Sequence, residues 1–278
     1  MTAPNADSAT APDLAFVALM QKITRERGFE CASYKEKCLR RRIAVRMRSR
    51  GVHTYADYAS VLDADPQEYD LLIDALTINV TKLFRNWETF AAIERHVIPV
   101  LWSLSDPAIG VWSAGCASGE EPYSLAILFH RFLAACGELD ALSRVSILGT
   151  DIDRSSLAAA ERAHFAEAAF ADTPADIRRE YFSAEPPFTP RADVRAMVRF
   201  ARRDLLAESP PGQGLHLITC RNVIIYFDRH TQEALFQRFQ NALAPGGILV
   251  LGKVETLLGA PRSGFVAIDP RERIFRRL

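Results

Sequence analysis

The chain has 278 residues, nearly half of them hydrophobic, and its 34 basic side chains balance 34 acidic ones. This length predicts a small domain joined to a larger one. A formal net charge of zero argues against a protein that binds nucleic acid. No run of eighteen apolar residues occurs, which argues against a membrane-spanning helix.

Residues 1–13 are mostly small and polar, without the basic and apolar blocks of a signal peptide, and they predict a disordered N-terminus. The five cysteines are widely and irregularly spaced, which is typical of reduced thiols. Neither they nor the six histidines have the spacing of metal ligands. We therefore expect a cytoplasmic protein without a metal site.

Residues 14–77 predict a small all-helical domain. Four segments have apolar residues at helical spacing, and Gly28, Gly51 and the sequence around Pro66 separate them. The predicted helices are Leu14–Arg27, Lys35–Arg50, Tyr55–Leu62 and Gln67–Leu76.

The second of these helices is strongly basic. Leu39, Ile43 and Met47 form an apolar ridge, and eight basic residues surround it against one acid, Glu36. A basic helix is usually a solvated surface. In a chain that is neutral overall, this local excess favours contact with an acidic partner instead. Nucleic acid is a poorer candidate because the helix lacks interleaved aromatic residues.

Residues 78–108 predict a linker and a helix from Trp87 to about Trp102. The polar residues Asn79, Thr81 and Arg85 lie at the seam between the two predicted domains. They are either ordinary capping residues with a surface arginine, or a lid over a cofactor in which Arg85 holds a carboxylate.

From Ile109 onward strands and helices alternate, which predicts an α/β domain over residues 109–278 with a mainly parallel sheet. Residues 170–193, with four prolines and little periodicity, predict a short excursion from the sheet, and Ala244–Gly247 predicts a turn. The predicted helices are Tyr123–Leu133, Arg154–Arg162 and Thr231–Leu243. The predicted strands are Ile109–Trp112, Val145–Leu148, Val194–Phe200, Leu215–Thr219, Ile248–Leu251 and a closing antiparallel pair, Phe265–Ile268 with Arg273–Phe275.

The turn between the first strand and the first helix of this domain has the small residues that let a backbone approach a ligand. Gly115 and Gly119 do not form a dinucleotide fingerprint. Glu120 and Glu121 occupy the helix N-terminus, where they would repel a pyrophosphate. Carboxylates suit hydroxyl groups or positive charge. S-adenosylmethionine (SAM) fits, because it has no phosphate and carries a sulfonium and an ammonium.

Two acids follow the second and third strands. Asp151 is placed to bind ribose hydroxyls, while Asp153 fits better as the cap of the next helix. Asp204 can accept a hydrogen bond from an adenine amino group, or it can pair with Arg202 or Arg203.

Two further candidates follow the fourth strand. Asn222 can bind the methionine part of SAM, and Tyr226 can line a methyl-transfer channel. On spacing alone, a core position for Tyr226 beside Ile224, Ile225 and Phe227 is the better interpretation.

Taken together, the motifs resemble the CheR-type chemotaxis receptor methyltransferases, from about Phe16 to the end of the chain. Asn79–Arg85 resembles the family's N-x-T-x-F-F-R segment, with Leu83 for the first Phe. The combination of motifs is specific, whereas any one alone is weak. The other matching segments are Ser113–Ser124, which resembles the SAM loop, Thr150–Asp153 and Cys220–Asp228.

The resemblance implies an α/β, Rossmann-like SAM-dependent methyltransferase domain with a small N-terminal all-helical domain. Arg85 and Tyr226 would lie beside the reacting methyl group. The basic helix would dock on the cytoplasmic helical region of chemoreceptors through Arg42, Arg46 and Arg48. The implied cofactor contacts, together with the glycine of the turn, are Asn79, Thr81, Arg85, Gly115, Glu121, Asp151, Asp204, Leu205, Arg221 and Asn222.

The chain departs from the family pattern in two places. Asp204 stands where the family usually has Asn, and an ionised Asp accepts hydrogen bonds but cannot donate them. Some members carry a Gly-rich β-excursion that holds a receptor's C-terminal pentapeptide. Here Phe182–Arg195 is short and contains no glycine, so we expect no pentapeptide tethering.

The expected reaction transfers a methyl group from SAM to a receptor glutamate, giving a glutamyl methyl ester and S-adenosylhomocysteine. A glutamate is already ionised near neutral pH, so no general base is required. Two alternatives remain: a SAM methyltransferase that acts on another protein or a small molecule, and a SAM-binding regulatory module without catalysis. We expect a monomer.

Overall fold

The computed structural model describes residues 13–77, 81–104 and 106–278. The predictions made for residues 1–12 and for Asn79 lie outside these ranges. The chain divides into two compact units, one ending at Ile78 and the other beginning at Asn79. None of the helices in the described ranges is long and apolar enough to cross a membrane.

The N-terminal unit is helical, as the apolar spacing predicts. Local signals set the helix ends: the Asp13 carboxylate accepts a hydrogen bond from Phe16 N at 3.2 Å, and Gly28 ends the helix with φ +65°. Leu39 and Ile43 of the basic helix point into the unit's own hydrophobic core. The helices are α1 (Leu14–Arg27), α2 (Glu36–Ser49), α3 (Tyr55–Ala64) and α4 (Pro66–Leu76).

The second unit is built on a seven-stranded sheet of order β3-β2-β1-β4-β5-β7-β6, in which β1 to β5 are parallel and β7 is antiparallel to both neighbours. Because β1 pairs with β2 on one side and β4 on the other, the strand order reverses there, and ligands bind at the carboxyl ends of such strands. The strands are β1 (Ile109–Ala114), β2 (Val145–Asp151), β3 (Val198–Arg202), β4 (Leu215–Cys220), β5 (Leu243–Leu251), β6 (Phe265–Asp269) and β7 (Ile274–Arg277).

Helices pack against this sheet, as expected for alternating strands and helices. A π-helical turn, Ile93–Val97, joins the two parts of the helix that the sequence predicts from Trp87 to about Trp102. The helices are α5 (Trp87–Ala92), α6 (Ile98–Trp102), α7 (Glu120–Cys136), α8 (Arg154–Arg162), α9 (Ala175–Tyr181), α10 (Ala192–Ala196) and α11 (Arg229–Ala242).

Two local predictions are wrong. The segment predicted as one strand from Val194 divides into α10 and β3, and Ala244–Gly247 belongs to β5, where a register shift opposite Leu215 absorbs the irregularity. The segment predicted as a short excursion from the sheet contains α9. Its order comes from buried aromatic residues rather than from regular apolar spacing: Phe170, Phe182 and Phe188 join the main core.

Candidate active site

The turn after β1 has a conformation that favours glycine. Gly115 and Gly119 have φ of +77° and +91°, and a Cβ on Gly115 would lie 2.5 Å from a methyl carbon of Val223. The N–H groups of Gly115 and Cys116 donate to the Thr150 carbonyl at 2.8 and 3.0 Å. The turn is therefore held against the end of β2.

Asp151 lies at the carboxyl end of β2. Its carboxylate accepts hydrogen bonds from Ala117 N at 2.8 Å and from Asp153 N at 3.0 Å, one on each oxygen. Burial raises the pKa of Asp151, and those two backbone N–H groups oppose the rise. Each oxygen retains a lone pair, so the group can also accept from hydroxyls. Asp153 caps α8 through Ser155 N at 2.7 Å, as predicted.

Glu121 links the ends of β1 and β4. One carboxylate oxygen accepts from Ser113 Oγ at 2.8 Å and from Thr219 Oγ1 at 2.6 Å. The other accepts from Arg221 Nη1 at 3.2 Å. A carboxylate is thus fixed at the point where the strand order reverses.

Arg221 connects this carboxylate to Arg85, in the segment before α5. Its Nη2 donates to the Arg85 carbonyl at 2.7 Å, and its guanidinium lies 5.0 Å from the Phe90 ring centroid. The Arg221 side chain is 2% exposed, and its Nε has no hydrogen-bond partner among the residues that the structure describes. A buried donor of this kind is costly unless a ligand or water accepts from it.

Residues 81–86 are anchored by their two apolar side chains. Leu83, which replaces the family's Phe, is fully buried, as is Phe84. Phe84 N donates to Ser124 Oγ at 2.9 Å. This anchoring leaves the polar residues around a cavity of about 300 Å³ lined by Thr81, Lys82, Arg85, Asn86 and Asp172.

The loop after β4 carries the other predicted residues of the reactive end. Asn222 has φ +61°, and its N–H donates to Glu255 Oε2 at 3.0 Å. Tyr226 ends a 3₁₀ turn and is half-buried, whereas Ile224 and Phe227 beside it are buried. The spacing alone favours a core position for Tyr226. The structure shows instead that Tyr226 is only half-buried.

Asp204 caps the turn after β3 rather than pairing with a neighbouring arginine. Its Oδ1 accepts from Leu206 N at 2.8 Å and Ala207 N at 3.2 Å, while Arg203 pairs with Glu208 at 3.2 Å. Arg203 N donates to the Asp151 carbonyl at 2.9 Å, so the backbone brings Asp204 and Leu205 next to the end of β2.

The structure separates the three arginines predicted to dock a receptor. Arg46 donates through Nε and Nη2 to the fully buried Glu68 carboxylate at 2.9 and 2.7 Å. Arg42 donates to the carbonyls of Ala75 and Leu76 at 2.8 and 2.9 Å. Arg48 is exposed. Arg42 and Arg46 therefore hold α2 against α4, and this use depends on partners that spacing within α2 cannot reveal.

The sequence alone does not mark Ser113, Thr219 and Glu255 individually as site residues. Ser113 and Thr219 are each the last residue but one of two strands that are adjacent in the sheet but distant in the chain. Their hydroxyls become a pair only once the strand order is known. Glu255 stands alone in a loop, and no local pattern marks it.

The chemistry of these groups fits SAM. The carboxylates of Glu121 and Asp151 lie at adjacent strand ends, where they can accept from ammonium and hydroxyl groups. At the same edge, the N-terminus of α7 carries Glu120 and Glu121, which disfavours phosphate. A parallel sheet with this strand order and these groups defines the class of SAM-dependent methyltransferases.

Comparison with known proteins identifies the family. Residues 14–77 match the CheR methyltransferase all-alpha domain, and residues 79–268 match the CheR methyltransferase SAM binding domain. The chain belongs to the CheR methyltransferase family, and its methylation reaction serves chemotaxis with SAM as cofactor.

The chain is similar to individual proteins over different shares of their length. The chain is 31% identical over 93% of its length to a chemotaxis protein methyltransferase of Listeria innocua, covering 97% of that protein. It is 35% identical over 88% of its length to an uncharacterized 104.1 kDa protein of Rhodobacter capsulatus, of which it spans 26%. Among solved structures, a TehB-like SAM-dependent methyltransferase from Corynebacterium glutamicum is similar to 69% of this chain and 92% of its own, with 13% identity and a TM-score of 0.37.

Proposed function

We propose that this protein methylates glutamate side chains of chemoreceptors, giving glutamyl methyl esters and S-adenosylhomocysteine. The observation that carries the proposal is the link from Glu121 through Arg221 to Arg85. It joins the carboxylate at the strand ends to a cavity whose lining includes Arg85, Lys82 and Asp172. Lys82 pairs with Asp172 at 3.5 Å, and the guanidinium of Arg85 suits a negatively charged substrate group.

SAM, when bound, supplies the methyl group from its sulfonium. The chain's own residues hold and orient the two reactants. Glu121 and Asp151 bind the ammonium and ribose hydroxyls, and Asp204 and Leu205 contact the adenine. Arg85 orients the substrate carboxylate, and Tyr226 borders its path. The carboxylate is ionised near neutral pH, so placement and removal of water are the main requirements.

We propose that receptor docking uses the exposed face of α2. Lys37, Arg41 and Arg48 are exposed at helical spacing, and Val45 between them is 50% exposed. Their side chains make no ion pair with the described residues. Such a face is free to meet the acidic surface of a receptor's helical region.

The proposal includes a cytoplasmic monomer that acts without pentapeptide tethering. All five cysteines are unpaired, which supports a reducing compartment. The segment from Phe182 to Arg195 is packed through Phe182, Phe188 and Val194 into the core. A calorimetric titration with a receptor tail peptide is expected to show no binding, and micromolar affinity would contradict this part.

The deciding experiment measures transfer of radiolabelled methyl from SAM to membranes that contain the organism's own chemoreceptors, followed by mild alkali. Release of radiolabel as methanol identifies a carboxyl ester and supports the proposal. Alkali-stable label would indicate another acceptor. Binding of S-adenosylhomocysteine without any transfer would favour a regulatory module.

A further inference from the structure

Two side chains bind the backbone of the loop from Arg221 to Asp228, one as a hydrogen-bond acceptor and the other as a hydrogen-bond donor. Glu255, from the segment after β5, accepts from the loop's backbone N–H groups. Gln232, from the second turn of α11, donates to the loop's carbonyls. Neither residue belongs to the proposed cofactor or substrate contacts.

Glu255 is buried, with 3% of its surface exposed. Its Oε2 accepts from Gly252 N at 2.6 Å and Asn222 N at 3.0 Å, and its Oε1 accepts from Ile225 N at 3.3 Å. The two loop amides lie at the start of the loop and within its 3₁₀ turn. A single carboxylate therefore sets the separation between the Asn222 and Tyr226 regions.

The fit around this carboxylate is close. A Cβ on Gly252 would lie 2.7 Å from Glu255 Oε2 and 2.9 Å from Asn222 N. The loop backbone therefore rests directly on Gly252, and no side chain intervenes. Burial raises the pKa of the Glu255 carboxyl, and the backbone N–H groups of Gly252, Asn222 and Ile225 oppose the rise.

Gln232 holds the same loop through the loop's carbonyl groups. Its Nε2 donates to the carbonyls of Ile224 and Phe227, both at 3.0 Å. These carbonyls flank Tyr226. The 3₁₀ turn is thus bound through its amides by one side chain and through its carbonyls by another.

We infer that Glu255 and Gln232 are positioning residues that hold Asn222 and Tyr226 in the geometry for cofactor binding and methyl transfer. The roles of Asn222 and Tyr226 rest on the proposed function. Asn222 adopts a positive φ, which a non-glycine residue keeps only when its surroundings enforce it. The Glu255 carboxylate, bonded to Asn222 N, supplies that constraint.

The variants Glu255→Ala, Glu255→Gln and Gln232→Ala separate this role from simple stability. A glutamine retains one acceptor oxygen for Gly252 and Asn222, but its amide N–H groups would face Ile225 N. Glu255→Ala removes all three bonds. Affinity for S-adenosylhomocysteine, measured by calorimetry on the full chain, is expected to fall roughly tenfold in Glu255→Ala and less in Glu255→Gln.

Turnover supplies the second readout. In Glu255→Gln and Gln232→Ala, kcat is expected to fall more than KM for SAM rises, because the turn that carries Tyr226 is released while Asn222 keeps its contact. Should Glu255→Ala fail to fold, these two variants still decide. Folded variants that bind and turn over like the wild type would overturn the inference.

Matched controls use a buried carboxylate and a glutamine that do not touch the loop. Glu68→Gln, in the N-terminal unit, is expected to lower the melting temperature without changing affinity for S-adenosylhomocysteine. Gln237→Ala, on the exposed face of α11, is expected to change neither. Because binding of S-adenosylhomocysteine requires no receptor, this test holds even if the proposed substrate fails.

Discussion

At the scale of single residues, the site depends on carboxylates that the protein's own hydrogen bonds hold in place without a ligand. Glu121 accepts from two hydroxyls and a guanidinium, and Asp151 accepts from two backbone N–H groups. Such preorganisation reduces the rearrangement needed on binding. Arg85 differs, because its carbonyl is held by Arg221 while its side chain lines a cavity.

This difference predicts the behaviour of Arg85→Ala. Loss of the guanidinium removes the group that orients the substrate carboxylate, so we expect kcat to fall by about a hundredfold. The backbone contact with Arg221 persists, so the free energy of unfolding should change by less than about 1 kcal/mol. Methyl-transfer kinetics and thermal unfolding measure both.

The control for Arg85→Ala is Arg95→Ala, an exposed arginine on the π-helical turn of the same unit. It should leave both turnover and stability near the wild-type values. A full methylation rate in Arg85→Ala would refute the proposed orienting role.

Asp151 predicts a pH dependence of cofactor binding. Burial raises the pKa of its carboxyl above the usual value, and the ionised form is the one that accepts from both amides and hydroxyls. As the pH falls through this raised pKa, protonation removes acceptors, so affinity for S-adenosylhomocysteine should decrease. The decrease should begin at a higher pH than for an ordinary aspartate.

Calorimetry across pH on wild type and Asp151→Asn checks this. The variant cannot titrate at this position, so its affinity should be weaker near neutral pH and should change less on acidification. The carboxyls of Glu120 and Glu255 also have raised pKa values and remain in both proteins, which makes the comparison specific to Asp151. Parallel pH profiles for the two proteins would contradict the assignment.

At the scale of elements, α2 carries two kinds of arginine. Arg46 neutralises the buried Glu68, which also accepts from Tyr58 OH at 2.7 Å. Breaking this buried ion pair leaves Glu68, among the described residues, with only the more distant Arg50 at 3.8 Å as an ion-pair partner, so Arg46→Ala should lower the free energy of unfolding by about 3 kcal/mol. Denaturant unfolding followed by circular dichroism measures the loss.

Substitutions on the exposed face of the same helix should affect receptor methylation rather than stability. Arg41→Ala with Arg48→Ala should leave unfolding within about 0.5 kcal/mol of the wild type. Receptor methylation should slow, and its dependence on salt should weaken, because screened surface charges govern the encounter. Unchanged methylation at low ionic strength would remove the docking role from this face.

The elements also explain what the sequence predicts well. The spacing predicts α1 and α8 with the bounds that the structure has, because Gly28 is a local signal for the end of α1 and Asp153 for the start of α8. The start of β5 depends on a pairing of Leu243 with Leu215, twenty-eight positions earlier in the chain. No residue near Leu243 in the sequence indicates that pairing, so the sequence predicts a turn at Ala244–Gly247 instead.

The residues of the candidate site also divide into those that a local pattern indicates and those that only the fold brings together. Asp151 stands out as a candidate because it follows a predicted strand, and Glu121 because it lies at the N-terminus of the helix after the first strand. Ser113 and Thr219 require knowledge of which strands are neighbours, and Glu255 requires the path of the chain after β5. The separate uses of Arg46 and Arg48 depend on Glu68, which lies on another helix.

At the scale of the whole molecule, each of the two units has its own hydrophobic core. The residues that bind the cofactor are proposed to lie within the second unit, whereas the docking face lies on α2 of the first. Stability of the two units should therefore respond to different perturbations. We predict two thermal transitions that can be moved independently.

S-adenosylhomocysteine should raise the transition of the second unit alone. At a free concentration of 100 times Kd, linkage gives a stabilisation of about 2.7 kcal/mol for a ligand that binds only the folded form. Glu68→Gln should lower the other transition, because Arg46 and Arg50 then face a group that cannot carry charge. Differential scanning calorimetry on the full chain, with and without ligand, resolves both effects. A single transition that ligand and substitution move together would show instead that the units unfold as one.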